Sequence, residues 1–185
     1  MNKESFFQAV KIVLFAALAI WLIEIVNLIL GHQFYVWGIL PRDFDSLPGI
    51  ILHPFIHGSL QHTILNTIPF IVLGSFVALE GKAAFIKITV QIVLIGGLLL
   101  WLFGRSSYHV GASLLIFGYF GFLLSLAFYK KTISSIVIAG VTIFMYGGLI
   151  YGIVPMDNQV SWEGHLFGLI AGVFGARLTK PGSNA

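Results

Sequence analysis

The chain has 185 residues, of which 58% are apolar and 9% are charged, and it contains no cysteine. Soluble domains carry roughly a quarter charged residues, and disorder requires low hydrophobicity with high charge, so both classes are excluded; disulfide frames and thiolate metal sites go with the missing cysteine. What remains is an integral membrane protein, and the mean hydropathy of +0.97 agrees.

Six apolar stretches follow in chain order, at approximately 10–30, 52–79, 84–103, 111–129, 133–153 and 161–178. Each is long enough to cross about 30 Å of hydrocarbon at about 1.5 Å per residue. The expected architecture is therefore all-α and polytopic: six transmembrane helices in one domain, residues 1–185, with short loops. Turn and charge signals mark the breaks at Gly31 to Pro48, Glu80-Gly81-Lys82, Gly104-Arg105-Ser106, Lys130-Lys131 and Pro155-Met156-Asp157-Asn158. The first stretch has signal-peptide features, with Lys3 and Lys11 ahead of it and Ala17-Leu18-Ala19 as a candidate cleavage site. Its apolar run continues to Leu30, too long for a signal core, so it is read as an uncleaved span. Glu24 and Asn27 lie inside it. Polar groups at that depth require a partner or a cavity, and the sequence names no partner for Glu24.

Orientation follows from the basic residues. With a cytoplasmic N-terminus, Lys3, Lys11, Lys82, Lys87, Lys130, Lys131, Arg177 and Lys180 fall on one side, and only Arg42 and Arg105 on the other. Cytoplasmic loops carry the Lys and Arg excess, so both termini are expected in the cytoplasm. The sequence pI near 9.3 then reflects topology. Nucleic-acid binding would need these charges on one patch. No transit-peptide feature appears, and a bacterial cytoplasmic membrane is the simplest compartment.

This topology gives the intramembrane polar residues a depth. His57, His62 and Asn66 in the second stretch, Ser113 in the fourth and His165 in the sixth all fall near the extracytoplasmic face. Groups that are costly in lipid and share one layer are expected to share one cavity. Within the second stretch, Ser59 suits an N-cap three residues before His62, and His62 and Asn66, four apart, share a helix face. His53 and His57 form a second pair, pointing about 180° away if the helix is continuous, and are read as loop support. Gly118, Gly121 and Ser125 form a small-residue run in the fourth stretch; Gly164, Gly168 and Gly172 repeat every four residues in the sixth. Small residues at this spacing let two membrane helices approach closely, which would carry Ser113 to within hydrogen-bond reach of His165. A serine hydroxyl becomes a nucleophile beside an imidazole base, and the Asn66 amide, the His62 imidazole and the Ser113 backbone N–H are available to hold an oxyanion.

The segments His57-Gly58-Ser59-Leu60-Gln61-His62-Thr63-Ile64-Leu65-Asn66, Gly111-Ala112-Ser113 and Gly164-His165-Leu166-Phe167-Gly168, with Gly38-Ile39-Leu40-Pro41-Arg42 before them, resemble the rhomboid intramembrane serine proteases in their minimal six-helix form. The resemblance implies a Ser–His dyad without an acidic third member: Ser113 as nucleophile, His165 as base, and His62, Asn66 and the Ser113 N–H as oxyanion hole. His57, Gly111, Gly164 and Gly168 take supporting places. It implies no cofactor, and substrates that are transmembrane proteins cut near the outer membrane surface. One position departs from the family's Gly-x-Ser-Gly: Leu114 stands where the second glycine belongs, adding bulk that is expected to widen the gap to the sixth span or reshape the oxyanion hole. A catalytically impaired relative that binds membrane proteins is the alternative.

Other readings weigh less. His53 and His57, with His62 as a third ligand, suit a metal site by spacing, but no acidic residue adjoins them and structural roles are favoured. Glu163 reads as a solvated span end in preference to an orienter of His165. His57, Ser59, Gln61 and His62 form a layer suited to holding water beside Ser113. The glycine-rich fifth span (Gly140, Gly147, Gly148 and Gly152) and the loop Pro155 to Val160 are expected to form a gate for substrate. A transporter would need repeated halves and a polar path through the bilayer, whereas the polar layer is one-sided.

Overall fold

The computed structural model describes residues 3–155 and 160–178. Its regular elements are α1 (Lys3–Ile29), a single turn α2 (Gly49–Leu52), α3 (Leu60–Ala78), α4 (Lys82–Phe103), α5 (Ser113–Lys130), α6 (Ile133–Tyr146) and α7 (Trp162–Leu178). Five helical segments are long and apolar enough to cross a membrane: 6–29, α3, α4, α5, and α6 with the 3-10 turns that extend it to Ile153. Helix α7 has 17 described residues.

Two boundaries differ from the sequence expectation. The second span starts at Leu60 and not near residue 52. Ser59 is extended, and its Oγ accepts the His62 N–H at 3.2 Å as an N-cap. The residues ahead of it form α2 and a 3-10 turn, His53–Phe55. The fifth span is α-helical only to Tyr146 and then tightens into 3-10 turns from Gly147 to Ile153, a stretch whose three glycines weaken α-helix.

Of the five apolar segments, α5 is the most buried and α6 the least. Leu114, Tyr119, Phe122 and Leu123 are buried along α5, and α7 is its most extensive neighbour. Side chains such as Phe15, Leu22, Ile133 and Phe144 point outward, an apolar exterior of the kind that lipid covers. Without a hydrophobic drive between helices in lipid, close packing must hold them, and glycine supplies it. A Cβ on Gly172 would collide with the Gly118 carbonyl, and one on Gly168 would lie 2.9 Å from the Leu114 carbonyl carbon. Gly164 faces elsewhere: its space is bounded by Ser161 and, at 3.5 Å, Leu100 of α4.

The connection from α1 to α3 is tied down by polar contacts. Arg42, in the left-handed region at φ 64, donates through Nη1 to the Gly104 carbonyl at 2.8 Å, and its backbone N–H donates to the Trp101 carbonyl at 2.9 Å. Trp101 Nε1 donates to the Asp43 carbonyl at 2.8 Å. Ile39 and His109 exchange backbone hydrogen bonds of 3.0 and 2.8 Å as an isolated antiparallel bridge. Glu24, whose partner the sequence did not identify, pairs through Oε1 with His32 Nε2 at 3.2 Å.

Candidate active site

Ser113 is the first residue of α5, where backbone N–H groups have no intrahelical acceptor and the helix end is electropositive. The turn that delivers it is held from both sides. The Gly111 N–H donates to the His53 carbonyl at 2.9 Å. The Ala112 N–H donates to His57 Nε2 at 3.3 Å. That acceptor role requires an unprotonated Nε2, and burial pushes His57 down to about 3 and His53 to about 4, so both rings are neutral near pH 7. Gly111 has φ +109, and a Cβ there would lie 2.6 Å from His62 Cε1. Only glycine permits this turn and leaves the His62 ring against it.

His62 and His57, read as pointing apart on a continuous helix, in fact meet: their rings are T-shaped at 4.9 Å, because residues 56–59 are not helical. His57 is fully buried, which removes it from the expected water layer; Ser59 and Gln61 are exposed. Asn66 is buried, and its Nδ2 donates to the His62 carbonyl at 3.1 Å.

His165 is buried at the top of α7. Its ring stacks on Phe117 at 4.1 Å and 7°. Phe117 is four residues beyond Ser113, on the same face of α5. His165 Nδ1 donates to the Gly152 carbonyl at 2.8 Å. A carbonyl only accepts, so Nδ1 carries the proton and the neutral ring keeps its lone pair on Nε2. Gly152 fits because its α-carbon abuts both rings: a Cβ would lie 2.8 Å from Phe117 Cζ and 3.0 Å from His165 Nδ1. Ser113 Oγ makes no hydrogen bond among the described residues, so the expected Ser113–His165 bond is not formed in this state. Such bonds commonly tighten only when substrate binds.

Leu114 does not push α5 from α7, as its bulk suggested. The backbones meet at Gly168 beside it, and the fully buried Leu114 side chain turns toward α4, where Gly96 leaves room: a Cβ on Gly96 would lie 2.9 Å from Leu114 Cδ2. Leu114→Gly should accordingly leave a cavity and cost about 3–5 kcal/mol, with no faster reaction at Ser113. Thermal unfolding and serine-probe rates of that variant check both parts; faster labelling would show the leucine to be a handicap.

Glu163 is likewise not solvated. It is buried, and its Oε1 lies 3.8 Å from Arg105 Nε. Ser161 Oγ caps α7 by accepting the Gly164 N–H at 3.2 Å and donates to His109 Nδ1 at 2.6 Å; His109 Nε2 donates to the Arg105 carbonyl at 3.1 Å. Burial pushes His109 below its ordinary value, which keeps it neutral for this role. Sequence reasoning missed His32, Gly96 and His109, and read Gly152 as part of the gate span and not as the partner of His165. Only the Gly96-Gly97 pair in an apolar span carried a signal, that of close packing. The expected gate loop falls partly outside the described residues, at 156–159.

A family model, the Rhomboid domain, matches residues 45–181. The chain is a member of the rhomboid family. Similar proteins cover between about two thirds and nine tenths of the chain. An uncharacterized protein of Mycobacterium tuberculosis is 40% identical over 176 residues, covering 90% of this chain and 73% of that protein. RHOMBOID-like protein 4 of Arabidopsis thaliana is 30% identical over 125 residues, 64% of this chain and 31% of its own length. Putative rhomboid protein L523 of Acanthamoeba polyphaga mimivirus is 31% identical over 130 residues, 66% and 69% of the two chains.

Proposed function

We propose that this rhomboid is an intramembrane serine endopeptidase with Ser113 as nucleophile and His165 as general base. The observation that carries the reading is the fixed tautomer of His165: Nδ1 donates to Gly152, which leaves the lone pair on Nε2, and the ring stacks on Phe117 of α5, four residues beyond Ser113. The main-chain carbonyl of Gly152 does here what an acidic third residue does in a triad.

In the reaction, Ser113 Oγ attacks the peptide carbonyl carbon as its proton passes to His165 Nε2. The negative oxygen is held by the free Ser113 N–H at the α5 N-terminus, with His62 and with Asn66 once its amide leaves the His62 carbonyl. Collapse breaks the C–N bond, and His165 returns the proton to the leaving amine. Water then attacks the acyl-enzyme ester, giving its proton to His165 Nε2; expulsion of Ser113 Oγ takes that proton back and frees the carboxylic acid product.

In this reading α7 is the sixth span, both termini are cytoplasmic, and the site opens to the extracytoplasmic side of a bacterial cytoplasmic membrane. Substrates are transmembrane proteins whose helices unwind near the cut. Helix α6, the least buried of the apolar segments, is the gate. Cross-linking α6 to α3 should abolish cleavage of a membrane-embedded substrate while leaving labelling by a small fluorophosphonate intact; undiminished cleavage rejects the gate.

The unformed Ser113–His165 hydrogen bond favours a second reading, a rhomboid that binds membrane proteins without cutting them. Cleavage of a transmembrane reporter in proteoliposomes separates the two: cleavage supports the protease, and capture of the reporter without cleavage supports the binder.

A further inference from the structure

Asn27 is a carboxamide near the end of the first apolar run, two residues before α1 stops, and the mechanism above does not use it. It is fully buried. Its Nδ2 donates to the His57 carbonyl at 3.0 Å, and its Oδ1 accepts the Phe34 N–H at 3.0 Å. Its own carbonyl accepts the His32 N–H at 2.7 Å. One residue of α1 thus grips the α1–α3 connection at three points. The grip continues inward: the His57 ring, fully buried, accepts the Ala112 N–H at 3.3 Å, and Ala112 is bonded to Ser113. An amide at this depth is costly unless satisfied, and here every bond it makes holds the segment that holds the nucleophile turn.

We propose that Asn27 is a positioning residue for the active site, acting through His57 on the Gly111-Ala112-Ser113 turn; the catalytic part of this rests on the protease reading above. The carboxamide is needed because the two targets are opposite in kind. The His57 carbonyl needs a donor and the Phe34 N–H an acceptor, and Asn supplies both on one short arm. Loss of the Nδ2 donor leaves the buried His57 carbonyl unpaired and releases the backbone that sets its ring. A sub-ångström shift of the turn is enough to slow acylation, since displacements of about 1 Å cost up to about 100-fold.

Two variants and a control test this in the full chain in lipid. Asn27→Leu removes both side-chain bonds in nearly the same volume; Asn27→Asp keeps the acceptor for Phe34 and loses the amide donor. Trp21→Phe is the control: it removes another polar tie between α1 and α3, Trp21 Nε1 to Thr67 Oγ1 at 3.1 Å, that does not lead to the turn. Hydrogen exchange at Ala112 reads the turn without needing activity. It should quicken at least about tenfold in Asn27→Leu and Asn27→Asp and stay within about twofold in Trp21→Phe, and kcat should fall about tenfold with KM unchanged. Should one Asn27 variant not fold, the other gives the same readout. Unchanged exchange at Ala112 in a folded Asn27 variant overturns the proposal, as does equal quickening in Trp21→Phe. Quickened exchange in the Asn27 variants, with a wild-type protein that neither cleaves nor labels, would sustain the positioning role and reject the protease reading.

Discussion

Ser113→Ala and His165→Ala should each lower cleavage of a transmembrane substrate by at least about a thousandfold, and the double variant should be no slower than either. In the proposed mechanism the two residues act as one unit: without Oγ there is nothing for the base to activate, and without Nε2 the hydroxyl keeps its proton. Gly152 holds the proton on Nδ1 and Phe117 supports the flat of the ring, so removing the imidazole removes the only nitrogen base stacked on that face among the described residues. Stability should change little at Ser113, whose hydroxyl bonds nothing among the described residues. Rates measured in proteoliposomes decide; activity surviving in Ser113→Ala would assign the chemistry to another group.

The second large effect is expected at Gly168. Its α-carbon lies against the Leu114 carbonyl, so a methyl group there meets backbone and not a side chain that can turn aside. Gly168→Ala should cost about 3 kcal/mol or more, the upper end for overpacking, and should move α7, with His165, away from α5. Cleavage is expected to fall about 100-fold even in molecules that remain folded. Gly140 in α6 supplies the contrast: it has nothing within 4 Å of a Cβ, and Gly140→Ala should leave stability equal or higher by about 0.5–1 kcal/mol. Thermal unfolding in one lipid or detergent compares the two. Equal stability of both variants would mean that α5 and α7 are not locked by backbone contact.

Much of this was legible in the sequence because it rests on local rules. Apolar run lengths gave five of the six expected spans as helices long and apolar enough to cross a membrane; Ser59 gave the start of α3 through its cap; the glycines of α5 and α7 announced a close approach, and the motifs singled out Ser113 and His165 as the candidate pair. What was not legible depends on which backbone groups a fold brings together. Gly152 serves His165 through its carbonyl, a group every residue carries. The consequence of Leu114 could not be read from α5, because the space it needs is a missing side chain on α4 at Gly96. Glu163 looked like a solvated helix end until the turn after α4 brought Arg105 beside it. His57 and His62 seemed to diverge because helical periodicity was extended through residues that form turns. Glu24 and Asn27 stood out as polar anomalies, but their partners lie in the irregular connection after α1, where no periodicity applies.

Intact-mass analysis after exposure to a fluorophosphonate, followed by peptide mapping, tests Ser113 and His165 most directly. One phosphonyl adduct per wild-type molecule, mapped to Ser113 and absent from Ser113→Ala and from His165→Ala, is the expected result. A folded wild-type protein that stays unmodified, or an adduct that persists in Ser113→Ala, would contradict it.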